Sequence, residues 1–143
     1  MGSSRNWNRV SSKNPVVRFE WEPVTTILGV KVLQHTKQPN KALPTFSNTP
    51  NTMYFRIDTN GHISELRIFK GRNSYMDIDW GHNHKEKGFY VPAGTAHVQY
   101  WKFNTFTNKM DRDNSKQTHL MSKYLIKKYG NIIKKADPNV KWE

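Results

Sequence analysis

The dipeptide Asn60-Gly61 restricts this chain more than any other feature, because it lies between two segments that read as strands, Met53 to Asp58 and Ile63 to Lys70. Asn-Gly suits a tight hairpin turn, since both of its residues tolerate positive φ. The flanking segments therefore pair antiparallel. Gly71, Arg72 and Asn73 turn the chain again into Tyr75–Trp80, where Tyr75, Asp77 and Asp79 alternate with Met76, Ile78 and Trp80. Successive strand side chains point to opposite faces, so the two carboxylates share one face of a three-stranded meander.

The rest of the chain is read around that meander. Val16 to Glu22 alternates like a half-buried strand that Pro23 ends, and Val24 to Gln34 is a second strand with a bulge or bend at Gly29. Between His35 and Thr52, Pro39, Pro44 and Pro50 predict a long irregular loop carrying His35, Lys37 and Lys41. His97 to Phe103 extends the sheet, and Thr105 to Asn114 is a polar loop. A helix is expected over Ser115 to Tyr129, capped by Asp113 or Ser115, with Gly130 ending or kinking it and Asp137-Pro138 closing the last turn. The predicted class is α+β: a mostly antiparallel sheet with a C-terminal helix on one face.

At 143 residues the chain has the size of one domain. Met1 to Ser4 read as an expression leader, Arg5 to Pro15 as a fraying end unless Trp7 docks, and residues 5–143 as a single domain. No apolar run approaches the length of a membrane span, so no membrane anchor is expected in this segment. With no cysteine, disulfides and thiolate metal sites are excluded. The charge is lopsided: 23 Lys and Arg against 11 Asp and Glu leave +12. Such a field draws phosphates, and aromatic residues at 13% offer surfaces for unpaired bases, which favours nucleic acid as partner over an acidic protein.

Three of six histidines, His82, His84 and His97, fall within sixteen residues. Cleaving RNA without a metal needs a base for the 2′-hydroxyl, an acid for the leaving 5′-oxygen and a cation for the phosphoryl charge; imidazole serves either proton-transfer role. His82, His84 and His97 are the candidates for it. Arg56, Arg67, Lys85 and Lys102 are candidate phosphate contacts, and Tyr100 or Thr95 a hydroxyl that orients a phosphate oxygen. In that reading there is no cofactor. The same imidazoles with Asp77 or Asp79 form an alternative ligand set for a divalent metal. His82-Asn83-His84, Glu86 and Pro92-Ala93-Gly94-Thr95-Ala96-His97 also resemble the ligand motifs of cupin barrels, which space their two motifs more widely. A third alternative is a binding module without catalysis. His62 and His119 read as structural or solvated, and Asp77 and Asp79 also suit cross-strand pairs with Arg56 or Arg67.

The run Asp77-Ile78-Asp79-Trp80-Gly81-His82-Asn83-His84, preceded by Arg56-Ile57-Asp58 and followed by Gly94-Thr95-Ala96-His97-Val98-Gln99-Tyr100-Trp101, resembles the C-terminal toxin domains of bacterial polymorphic toxin systems. These end long secreted carriers of the LXG, WapA/Rhs and contact-dependent-inhibition types. The resemblance spans roughly Met53 to Phe103. It implies a ribonuclease, with tRNA a frequent target, although some members cut DNA. It also implies a fold like the small metal-independent ribonucleases grouped with barnase and RelE-like toxins, delivery as the end of a secreted carrier into the cytoplasm of a target bacterium, and neutralisation by a cognate immunity protein. Against a +12 domain that protein is expected to be acidic.

Overall fold

The computed structural model describes residues 21–38 and 42–143. The expectations for Val16 to Glu20, Trp7, Lys41 and the leader lie outside them. The order is β1 (Trp21–Ile27), β2 (Val30–His35), β3 (Met53–Ile57), β4 (Ile63–Lys70), β5 (Asn73–Asp79), β6 (His84–Glu86), β7 (Phe89–Val91), β8 (His97–Asn104), β9 (Lys109–Arg112), β10 (His119–Leu120) and α1 (Lys123–Ala136). The main sheet runs β1-β2-β3-β4-β5-β8-β10, with β9 also on β8, and β6 and β7 form a separate hairpin. Every pairing between these named strands is antiparallel except β2 with β3, and an isolated bridge of Thr95 with Lys141 is also parallel. The class is α+β, as expected.

Several local expectations are corrected. Pro23 does not end a strand: β1 passes through it, with an irregular register between Pro23 and Thr25. As an edge strand β1 tolerates the missing N–H. The expected bulge or bend at Gly29 is a bend: Leu28 and Gly29, both at positive φ, make a two-residue hairpin that divides Val24 to Gln34 between two strands. The Asn60-Gly61 hairpin forms, but of the two only Gly61 takes positive φ. The Asp58 carboxylate accepts the Asn60 and His62 amides there, so the turn is wider than a two-residue one.

The expected polar loop after Thr105 contains β9. The helix starts at Lys123 rather than Ser115, because His119 and Leu120 pair with β8. Ser122 is its cap, with Oγ accepting the Leu125 amide. Gly130 sits inside the helix, where an added Cβ would lie 3.2 Å from Ile126 Cγ2 and 3.4 Å from Trp142 Cζ2. Close packing retains it there. Asp137 does close the helix. Ser122→Ala is expected to cost about 1 kcal/mol in urea unfolding, the usual loss for such a cap.

Alternation gives the sheet two unlike faces. Val32, Phe55, Leu66, Ile78 and Val98 form the main core with Leu125, Tyr129 and Ile133 of α1. On the other face Trp21, Leu33, Leu43, Tyr54 and Phe69 make a smaller apolar cluster. Beside it the same face carries Glu65, Arg67, Asp77, Asp79 and His97, all buried. Among the described residues no helix is long and apolar enough to cross a membrane.

Candidate functional site

The polar face is built on register. Arg67 lies opposite Asp77, Glu65 opposite Asp79, and Asp79 opposite His97, so β4, β5 and β8 line these groups up across the sheet. Arg67 gives Nε to Asp77 Oδ1 at 2.8 Å and Nη2 to Asp77 Oδ2 at 3.0 Å, with a further bond from Nη2 to Glu65 Oε2 at 3.2 Å. Nη1 serves the carbonyls of Leu43 and Pro44. All five N–H groups of a guanidinium are thereby occupied. Arg112 Nη1 adds a contact of 3.1 Å to Asp77 Oδ2. The guanidinium carbons of Arg67 and Arg112 stand 4.7 Å and 4.4 Å from the Trp101 ring centre, a cation–π arrangement.

The charges on this face are unequal. Burial pushes Asp77 up, but the charge and hydrogen bonds of Arg67, with help from Glu65 and Arg112, hold it below its ordinary value. Glu65 goes the other way: burial and the nearby Asp77 charge raise its carboxyl well above the usual range. Two adjacent buried carboxylates beside one guanidinium resist ionising together.

Beyond Asp79 the chain leaves the sheet, and a loop brings His82 and His84 over the start of β8. Gly81 makes this possible, since a Cβ there would lie 2.5 Å from Ser64 Cβ. The Asn83 side chain accepts the Ala93 amide at 2.8 Å and the Trp80 carbonyl accepts the Gly94 amide at 2.8 Å, fastening the two ends of the loop together. The chain terminus clamps it from outside: Gly94 O accepts Lys141 N, and Lys141 O accepts Ala96 N. Glu86 Oε1 accepts the Thr118 amide at 3.1 Å. Gly81→Ala is expected to destabilise by about 1–3 kcal/mol, the range for a forced overpacking, read from the urea midpoint.

The three imidazoles converge, one nitrogen from each lying within 4.8 Å of the others. The His84 and His97 rings stack with centres 4.9 Å apart, and His82 meets His97 edge-on at 5.5 Å. The His82 side chain is 56% exposed, the solvent-facing member of the three, with Nδ1 3.1 Å from Asp79 Oδ1. That bond raises the His82 pKa, against burial and the positive fields of Arg112 and Arg56. His97 is fully buried. Burial lowers its pKa, which favours neutral imidazole. No hydrogen bond closes on either of its ring nitrogens, although the Thr95 backbone is near enough to bias the ring slightly toward protonation. His84 Nε2 is likewise buried without a hydrogen bond, its nearest carboxylate oxygen being Glu86 Oε1 at 3.7 Å.

The remaining candidates divide. Arg56 lies near enough for its charge to bear on His82. Thr95 is buried two residues before His97. Lys85 is exposed on β6, next to His84. Arg67 is not available as a phosphate contact, because it is buried with every donor in use. Lys102 is exposed but five residues along β8 from His97, about 17 Å away at strand rise. Tyr100 faces the helix side, its hydroxyl 2.8 Å from His119 Nε2. For a metal, Asp77 is committed to Arg67, and Asp79 binds the His82 ring and the Gly81 amide. Arg112 is the missed neighbour, its charge bearing on His82. Its signal was the alternation of Lys109 to Arg112 after a turn.

The other histidines are structural or solvated. His35 is buried against Trp21, and its Nδ1 accepts the Lys37 and Gln38 amides. His119 is in β10, not a helix, and holds the Tyr100 hydroxyl. His62 is exposed in the hairpin turn. Comparison of the chain with protein-family models, curated proteins and solved structures gives no match.

Proposed function

We propose that this domain is a nuclease that cuts RNA at the His82, His84 and His97 centre. The convergence of three imidazoles, with His82 facing solvent, carries the reading. Two arginines, Arg56 and Arg112, extend positive potential onto His82, and the chain as a whole is at +12. Cations beside imidazoles are what phosphodiester cleavage requires: the cations hold the phosphoryl oxygens and steer the polyanion in, while the centre handles the proton or the attacking water. Chemistry on one face of an antiparallel sheet and a helix on the other also supports the comparison with barnase and RelE-like ribonucleases.

In the same reading the domain is the toxin end of a secreted polymorphic-toxin carrier and acts in the cytoplasm of a competing bacterium, with tRNA as a candidate target. Its producer needs an acidic immunity protein, whose carboxylates would occupy the phosphate sites at Arg56 and Arg112. The test is incubation of the purified domain with total RNA and with plasmid DNA, each with and without chelator. Cleaved RNA and intact plasmid are expected. If both substrates survive in every condition, the nuclease reading fails and a binding module replaces it; plasmid cleavage alone moves the substrate to DNA.

A further inference from the structure

We propose that His82, His84 and His97 form a binding site for one borderline transition-metal ion, with zinc the best fit. What the ion would do there rests on the nuclease reading, whereas its binding is measured apart from cleavage.

The donors come first. One nitrogen from each ring lies within 4.8 Å of the other two. A tetrahedral ion with metal–nitrogen bonds of about 2.0–2.1 Å holds its ligands roughly 3.4 Å apart. Small ring rotations close that gap, and His82, largely exposed, is free to make them. Buried side-chain nitrogens nearly always have a partner. Here His97 Nδ1, His97 Nε2 and His84 Nε2 are all buried without a hydrogen bond, on two rings stacked 4.9 Å apart, the nearest carboxylate oxygen to His84 Nε2 being Glu86 Oε1 at 3.7 Å and the Thr95 backbone lying near His97. Two neighbouring imidazoles left in that state are poorly explained as core residues and well explained as ligands.

The surroundings agree. Metal-binding histidines usually give their other ring nitrogen to a carboxylate, which fixes the ring. Asp79 Oδ1 lies 3.1 Å from His82 Nδ1 and also accepts the Gly81 amide at 2.9 Å, so the carboxylate is held in place and Nε2 of His82 is left for the ion. Three neutral nitrogens and no carboxylate in the set select zinc, cobalt, nickel or copper over magnesium or calcium, which take oxygen. Three protein ligands also leave a fourth position for water or substrate, the pattern of reactive rather than purely structural zinc. The exposed His82 marks the side from which that position is reached.

The test uses chelator-stripped protein titrated with Zn²⁺, and separately with Co²⁺ for its visible spectrum. Wild type is expected to hold one zinc per chain through gel filtration, to melt at a higher temperature with zinc, and to give the intense visible bands of four- or five-coordinate cobalt. His82→Ala and His84→Ala should each weaken binding at least 10-fold, and Asp79→Asn by about 10–100-fold. His97 is too buried for its alanine variant to be decisive, so the more accessible pair and Asp79 carry the test. Folded wild type that retains no zinc overturns the site, as does binding that His82→Ala and His84→Ala leave unchanged. Chelator-resistant RNA cleavage by a protein that binds no zinc would remove the metal and leave the nuclease reading standing. Zinc bound at these residues with no cleavage of RNA or DNA would do the reverse.

Discussion

Asp77→Ala is expected to cost about 3–5 kcal/mol of stability, the loss that follows when one partner of a buried ion pair is removed. Asp77 is fully buried and receives two hydrogen bonds from Arg67, itself 2% exposed. Without the carboxylate, the hydrogen-bond partners left to Arg67 are Glu65 and the loop carbonyls of Leu43 and Pro44. Glu65 limits the damage. Its carboxyl is held high by burial and by Asp77, so removing Asp77 lets Glu65 ionise more readily and serve as counter-ion.

Stability should therefore respond to pH in two directions. The depressed Asp77 carboxyl contributes stability that is present above its unfolded value of about 3.9 and lost as pH falls through the folded one. The raised Glu65 carboxyl contributes stability that is present below its unfolded value of about 4.3 and lost as pH rises through the folded one. Urea midpoints across pH should show wild type losing stability on the alkaline side of that window, and Glu65→Gln removing the decline. An Asp77→Ala protein within 1 kcal/mol of wild type would mean that the network is not paired as described.

Arg67 also shows where sequence reading stops. Alternation puts it on the Asp77 face, and the structure agrees. Whether that face is open or covered depends on Leu43 and Pro44, more than twenty residues away in an irregular loop, and no local pattern encodes their position. The hairpin from Met53 to Lys70 was legible because its turn and its alternation are both local. The helix start was misplaced because Leu120 and Met121 fit a helical period, while pairing of His119 and Leu120 with Val98 and His97 is non-local. Gly130 reads as a breaker at roughly 1 kcal/mol against alanine, a preference that packing against Trp142 outweighs. The three histidines were legible as a group because one loop carries two of them and ends at the third. The burial of His97 was not, since it depends on the sheet register and on the clamp by Lys141.

His84→Ala should lower RNA cleavage by two to four decades, far more than the modest fall in melting temperature of the metal-free protein that loss of its stacking on His97 brings. The magnitude is the same for either chemistry. A positioned acid or base typically contributes 10²–10⁴-fold. A Lewis-acidic ion supplies several kcal/mol of charge stabilisation, and at 1.36 kcal/mol per decade that is again about two to four decades. His84 suits the measurement because it makes no described hydrogen bond to the fold, and what its removal costs in structure is the ring stacking on His97 and the 3.7 Å approach to Glu86. His82→Ala should fall with it. Two controls bracket the result: His62→Ala, in an exposed turn, should cleave like wild type, and His119→Ala should lose stability with the Tyr100 contact while the folded fraction stays active. Arg112→Ala is expected to raise KM more than it lowers kcat if its role is to gather the phosphate, because uniform binding of substrate and transition state appears in KM alone. Full cleavage by both His82→Ala and His84→Ala, or an equal loss in His62→Ala, would place the reaction elsewhere on the molecule.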